Sequence, residues 1–141
     1  MTKPIVQRLL VGSVVVRDNK VLIIQRSEDD ETFPGFWELP GGNREPLETS
    51  EDAIVRETKE EAGLDVKVVK PLSVFEFSSE KEDMVRDVTQ INFLVDEIGS
   101  VQPKVSYEHS SFAWVGVEEL DKYNLSKETK EVIRLALQAD S

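Results

Sequence analysis

The chain contains no cysteine. Disulfides and thiolate metal sites are therefore excluded. There is one histidine, His109, which rules out a multi-histidine zinc site. Any metal must then be held mainly by oxygen, and that favours magnesium, manganese or calcium. Basic residues are outnumbered, leaving a net charge of -11. A non-specific nucleic-acid binder needs a basic footprint and is not expected. A small nucleotide arriving with its own cation remains compatible with that charge. Long apolar runs are missing as well. The stretch "MTKPIVQRLLVGSVVV" is broken by Lys3, Gln7 and Arg8 and is too short to span a bilayer. It lacks the zones of a secretory signal, so the expected location is the cytoplasm, without membrane association.

What is present suffices for a globular domain. The 141 residues include 39% hydrophobic side chains, enough for a core, and the length predicts one domain over 1–141. The runs "LLVGSVVV" and "VLIIQR" read as strands around a tight turn at Asp18-Asn19. "EDDETFPGFWELPGGNREPLETS" is punctuated by proline and glycine and reads as loop, with a short strand at residues 37–39. A helix follows, capped by Thr49 with Asp52 in a capping-box pattern, and ended by Gly63. Its buried stripe is Ala53, Ile54 and Ala62, with Thr58 beside it. "VKVVKPLSVFEFSS" and "VRDVTQINFLVDEI" read as strands joined by a solvated tip at "EKEDM". "FAWVGV" reads as a further strand and "VEELDKY" as a helical turn. The final helix, "SKETKEVIRLALQAD", has Ser126 as its cap and Thr129, Val132, Ile133, Ala136 and Leu137 at helical spacing. This order predicts an α/β (α+β) fold in which helices cover a sheet that is not purely parallel.

One segment stands out. "RETKEEAG", residues 56–63, places Glu57, Glu60 and Glu61 within about 100° of arc on a helix. Like charges at this spacing repel. An ordinary acidic face is solvated. The alternative is convergence on one small volume, where a divalent cation would relieve the repulsion and leave room for substrate phosphates.

The surrounding residues favour that alternative. Residues 42–64, "GNREPLETSEDAIVRETKEEAGL", resemble the Nudix box. The pattern is a glycine, five residues, a glutamate, seven residues, then Arg-Glu-apolar-any-Glu-Glu-any-Gly-apolar. Gly42, Glu48, Arg56, Glu57, Glu60, Glu61, Gly63 and Leu64 agree with it. Thr58 departs from the usual aliphatic residue but keeps a methyl group for packing. Upstream, "FWELPGG" is similar to MutT-type members.

The resemblance implies a Nudix-type α/β/α sandwich, a mixed sheet between helices. It implies a catalytic Mg²⁺ or Mn²⁺ held by Glu57, Glu60, Glu61 and the Gly42 carbonyl. Arg56 and Glu48 correspond to the pair that orients a metal-binding glutamate and ties loop to helix. For Arg56 and Glu48 an ion pair that stabilises the fold and a direct chemical role are equal alternatives, and Gly63 is a helix terminator. Candidates for the catalytic step are Glu57, Arg56 and Glu108 of "YEHSSFAW", with Glu57 and Glu108 as alternative general bases. Arg26 and Trp37 are the substrate-side candidates. Phe33 and Phe36 are expected to rim a pocket or anchor their loop. His109 is expected to be incidental or structural, and Trp114 to be core.

The reaction implied is hydrolysis of a nucleoside diphosphate linked to another group. The downstream "SSEKED" lacks the proline of ADP-ribose members and the tyrosine of dinucleoside-polyphosphate members. The expectation is therefore MutT-like conversion of a (deoxy)nucleoside triphosphate to monophosphate and pyrophosphate. Alternatives are an ADP-ribose or nucleotide-sugar pyrophosphatase and a non-catalytic nucleotide-sensing Nudix-fold module. A calcium-binding domain is disfavoured, because no EF-hand-like Asp-rich loop exists. Homodimers are common in the family, so self-association is a further expectation.

Overall fold

The structure is a computed structural model that describes residues 2–30 and 33–138. Glu31 and Thr32 of the long loop, and Ala139 and Asp140 of the expected last helix, lie outside the described residues. Strands β1 (Ile5–Arg17) and β2 (Lys20–Arg26) form a hairpin. Asp18 and Asn19 have φ of 52° and 62°, the paired positive values of a two-residue turn whose twist suits a hairpin. Short strands β3 (Trp37–Glu38) and β4 (Gly41–Asn43) precede helix α1 (Ser50–Ala62). Strands β5 (Val66–Glu80), β6 (Val85–Glu97) and β7 (His109–Val115) follow. A 3-10 turn (Val117–Lys122) and helix α2 (Lys127–Gln138) complete the described chain.

The main strand order is β3-β2-β1-β6-β5, with β4 on β1 and β7 on β2. β1 runs parallel to β6, and every other pairing is antiparallel. The sheet is therefore mixed. β5 and β6 form the expected hairpin, with its turn at residues 81–84.

Alternation along β1 distributes the core between two layers. Val11 and Val15 pack with Ala53 and Ile54 of α1, whereas Val14 packs with Val132, Ile133 and Ala136 of α2. A helix thus covers each side, the predicted sandwich. The Thr49 hydroxyl accepts from the Asp52 amide at 3.0 Å. Gly63 has φ 71° and donates its N–H to the Lys59 carbonyl, as a left-handed helix end requires. The Ser126 hydroxyl caps α2 by accepting from the Thr129 amide at 3.1 Å. Trp114 packs against the α1 layer, in line with its expected core role.

α2 leaves part of its sheet face open. A cleft of about 680 Å³ lies there, with Leu10, Gly12, Gln90, Phe75 and Phe77 among its lining residues. Phe33, Phe36, Glu38, Glu61 and Glu108 line the same cleft.

Candidate active site

The loop between β4 and α1 is tied to the helix by one guanidinium. Arg56 Nε and Nη2 donate to the two oxygens of Glu48 at 2.8 and 2.9 Å. Nη2 also reaches the Asn43 carbonyl at 3.1 Å. Nη1 donates to Glu57 Oε1 at 2.8 Å and to Glu60 Oε2 at 3.3 Å. Planar fork geometry makes such simultaneous engagement available to arginine and not to lysine. The Arg56 bonds, followed by the Glu45 amide, hold the Glu48 carboxyl down at about 2. The same bonds, led by Glu48, raise Arg56 above its ordinary value.

The box glutamates occupy three different environments. Glu57 is largely covered and lies against Gly42, where an added Cβ would fall 2.6 Å from Glu57 Oε2. Burial raises its carboxyl above the usual range, with Arg56 opposing. Glu61 lines the cleft and accepts from the Gly41 amide at 2.8 Å. Burial pushes its carboxyl up to about 7, against the Gly41 amide and the charge of His109. Glu60 has a side chain 57% exposed.

The expected convergence of Glu57, Glu60 and Glu61 is therefore corrected. Among the described residues no three His, Cys, Asp or Glu side chains are already gathered closely enough to hold a metal ion. Helical spacing brings the three glutamates to one side, but their carboxylates take different protein partners. Arg56 draws on Glu57 and Glu60, while the Gly41 amide draws Glu61 toward the cleft.

The donor chemistry nevertheless fits a hard divalent cation. Gly42 carries no side chain between Glu57 and the cleft-lining strand β4. Glu57 and Glu61 approach the neighbouring Gly42 and Gly41, and carboxylate oxygen ligands suit Mg²⁺. Gly42, Glu57, Glu60 and Glu61 are the residues available to hold it.

A second chain of charges runs from Glu61 into the β2–β3 region. His109 Nδ1 lies 4.0 Å from Glu61 Oε2, and Nε2 lies 2.9 Å from Glu38 Oε2. Arg26 then bridges Glu38 Oε1 at 2.9 Å and Asp30 Oδ2 at 2.7 Å. Burial alone would lower the His109 pKa. The Glu38 hydrogen bond and the charges of Glu61 and Glu38 outweigh it, so the pKa is raised. The His109 side chain is only 3% exposed, so it is a built-in component, not an incidental loop residue. Sequence reading missed Glu38 altogether. Its one signal was a carboxylate inside "FWELPGG" with no stated role.

The remaining candidates are placed as follows. Arg26 lines the cleft with both terminal nitrogens taken by carboxylates. Trp37 lines the cleft and also packs edge-on against Tyr123, centroids 5.0 Å apart. Glu108 is exposed and lines the cleft. Its carboxylate takes no protein partner among the described residues. Phe33 and Phe36 form a tilted pair 5.3 Å apart on the rim.

Comparisons with known proteins identify the family. The chain is 30% identical over 140 residues to the nucleoside triphosphatase NudI of Escherichia coli O17:K52:H18 strain UMN026, covering 92% of this chain and 96% of that protein. NudI of Escherichia fergusonii is 29% identical over 136 residues, with the same coverage. The crystal structure of a MutT protein from Methanosarcina mazei Go1 superposes with a TM-score of 0.78 at 26% identity, covering 100% of this chain and 99% of that one. The family model described as NUDIX domain matches residues 6–136. The chain belongs to the Nudix family and is a Nudix hydrolase.

Proposed function

We propose that this Nudix hydrolase, acting as one domain over 1–141, converts a (deoxy)nucleoside triphosphate to monophosphate and pyrophosphate with Mg²⁺ or Mn²⁺. One observation carries the reading: Glu61, bonded to the Gly41 amide, and Glu57, against Gly42, stand at a cleft of nucleotide size that Gly41, Gly42 and Glu61 line. The relatives named NudI, nucleoside triphosphatases by their names, support the substrate class.

The Gly42 carbonyl, Glu57, Glu60 and Glu61 would hold the cation. When bound, it neutralises diphosphate charge and makes water more acidic. Arg56 orients Glu57 while Glu48 keeps the guanidinium in place. Glu108 is the better-placed general base, because its carboxylate is unpartnered in the cleft whereas Glu57 is bound by Arg56. Arg26 is a phosphate contact once substrate competes with Asp30 or Glu38, and Trp37 contributes an apolar wall. The cytoplasm supplies both nucleotides and Mg²⁺, and we place the protein there.

The test is release of pyrophosphate and monophosphate from a panel of nucleoside triphosphates, ADP-ribose and nucleotide sugars with Mg²⁺. Turnover of triphosphates that is lost in a folded Glu61→Gln variant is the expected result. Preferred hydrolysis of ADP-ribose or a nucleotide sugar would replace the substrate assignment. Nucleotide binding without any turnover would replace it with a sensing module.

A further inference from the structure

The floor of the cleft carries a polar chain that the phosphate chemistry does not use. Strand pairing puts Leu10, Gln90 and Phe75 in one row across β1, β6 and β5, and Gly12, Asn92 and Ser73 in the next. Directly paired residues share a sheet face, so both rows belong to the face that lines the cleft. Asn92 is 0% exposed. Its Nδ2 donates to Ser73 Oγ at 3.2 Å, and its Oδ1 accepts from Gln90 Nε2 at 3.0 Å. Gly12 makes the space for this pair: a Cβ there would fall 2.2 Å from Asn92 Oδ1 and 3.1 Å from Gln90 Nε2.

A buried amide in a sheet is costly unless bonded. Here the bond to Ser73 fixes the Asn92 amide, and the bond from Gln90 Nε2 ties Gln90 to it. Gln90 Oε1 takes no partner among the described residues and is not buried. Gln90 itself lines the cleft. Its amide therefore presents an acceptor and one remaining N–H donor to whatever enters. Beside it stand Phe75 and Phe77, rings 6.1 Å apart, also on the cleft lining. Apolar ring surface next to a fixed donor–acceptor edge suits a planar heterocycle with apolar faces and a hydrogen-bonding rim. Glutamine amides pair with base edges through such a two-point contact.

We propose that Gln90 reads the nucleobase, with Asn92, Ser73 and the bare Cα of Gly12 as the elements that position it. The base lies on the Phe75–Phe77 side of the cleft, and the diphosphate lies toward Gly42 and Glu61. This inference rests on the pyrophosphohydrolase reading for its substrate.

The experiment measures kcat/KM for ATP, GTP, CTP and UTP with wild type, Gln90→Leu and Gln90→Glu. In Gln90→Leu the spread between best and worst base shrinks about tenfold or more, the worth of one two-point amide–base contact. Gln90→Glu keeps acceptor oxygens and loses the Nε2 donor, both toward the base and toward Asn92 Oδ1. Its preference shifts toward the amino-bearing bases of ATP, CTP and GTP and against UTP, whose base carries no amino group, a change that a merely structural glutamine would not produce. An equal loss for all four nucleotides, or an unaltered spread, overturns the proposal. If wild type turns over no triphosphate, the hydrolytic reading fails separately. Calorimetric binding of AMP, GMP, CMP and UMP then decides this one: base-dependent affinity lost in Gln90→Leu supports it, and affinity independent of base, or no binding, overturns it.

Discussion

Gly42 and Glu57 are in direct contact across the gap between β4 and α1. A Cβ on Gly42 would lie 2.6 Å from Glu57 Oε2 and 2.7 Å from its Cδ, closer than nonbonded atoms tolerate. A side chain here fits only if the Glu57 carboxylate moves.

Gly42→Ala must therefore displace the Glu57 carboxylate. The expected outcome is a loss of kcat on the order of 10²-fold, the usual consequence of misplacing a catalytic group by about 1 Å. Steady-state kinetics in saturating Mg²⁺, with circular dichroism to verify the fold, measures it. Near wild-type kcat in a folded variant would remove Glu57 from the machinery.

Arg56→Lys removes the fork that joins Glu48, Asn43 and Glu57. An ammonium can reach one of these but cannot grip them all. We expect kcat to fall by about 10²-fold, together with weaker Mg²⁺ dependence of Tm. Glu48→Gln keeps an acceptor oxygen for Arg56, so its loss is smaller. The two variants compared in one Mg²⁺ titration test the ordering, and equal losses would contradict it.

The Glu61 carboxyl predicts a pH dependence in the cation-free protein. Its folded value of about 7 lies above roughly 4.3 for an unfolded-chain glutamate. The native state thus holds the proton more tightly. The stabilisation is complete below the unfolded value and is lost as pH rises through 7, a difference of about 4 kcal/mol. His109, also raised, acts in the same direction. In EDTA, Tm should fall between pH 6 and pH 8. Glu61→Gln should reduce that fall, removing its own share and the part of the histidine's that its charge supplies. Added Mg²⁺ should raise wild-type Tm most at the upper end of the range, by binding the native state. A wild-type Tm in EDTA that is level from pH 6 to 8 would refute the buried-charge account.

Leu47 has φ 67° and a side chain fully exposed at 102%. Left-handed backbone is unfavourable for leucine by about 1–2 kcal/mol, and no packing offsets it. Leu47→Gly should stabilise the protein by roughly 0.5–1 kcal/mol after glycine's larger unfolded-state entropy is subtracted. The expected rise in Tm is about 2–4 °C by differential scanning calorimetry. A lower Tm would show that Leu47 makes contacts in solution.

Local chemistry was legible in the residue order. Thr49 and Gly63 bound α1 because capping and left-handed termination involve only a few neighbouring residues. Asp18-Asn19 announced a turn for the same reason. The direction of each box carboxylate was not legible. Helical spacing places Glu57, Glu60 and Glu61 on one side, but a side chain turns toward its strongest partner. Those partners are Arg56 and the Gly41 amide, the latter on a different element.

Residue order alone points to the Nudix box, the alternating sheet and the oxygen-rich chemistry, because spacing along a helix or strand follows from backbone geometry. The folded chain decides that His109 stands between Glu38 and Glu61, and that Asn92 holds Gln90 above the bare Cα of Gly12. Those relationships depend on strand register and on the need of buried polar atoms for partners. Both are settled by contacts between residues far apart in the chain.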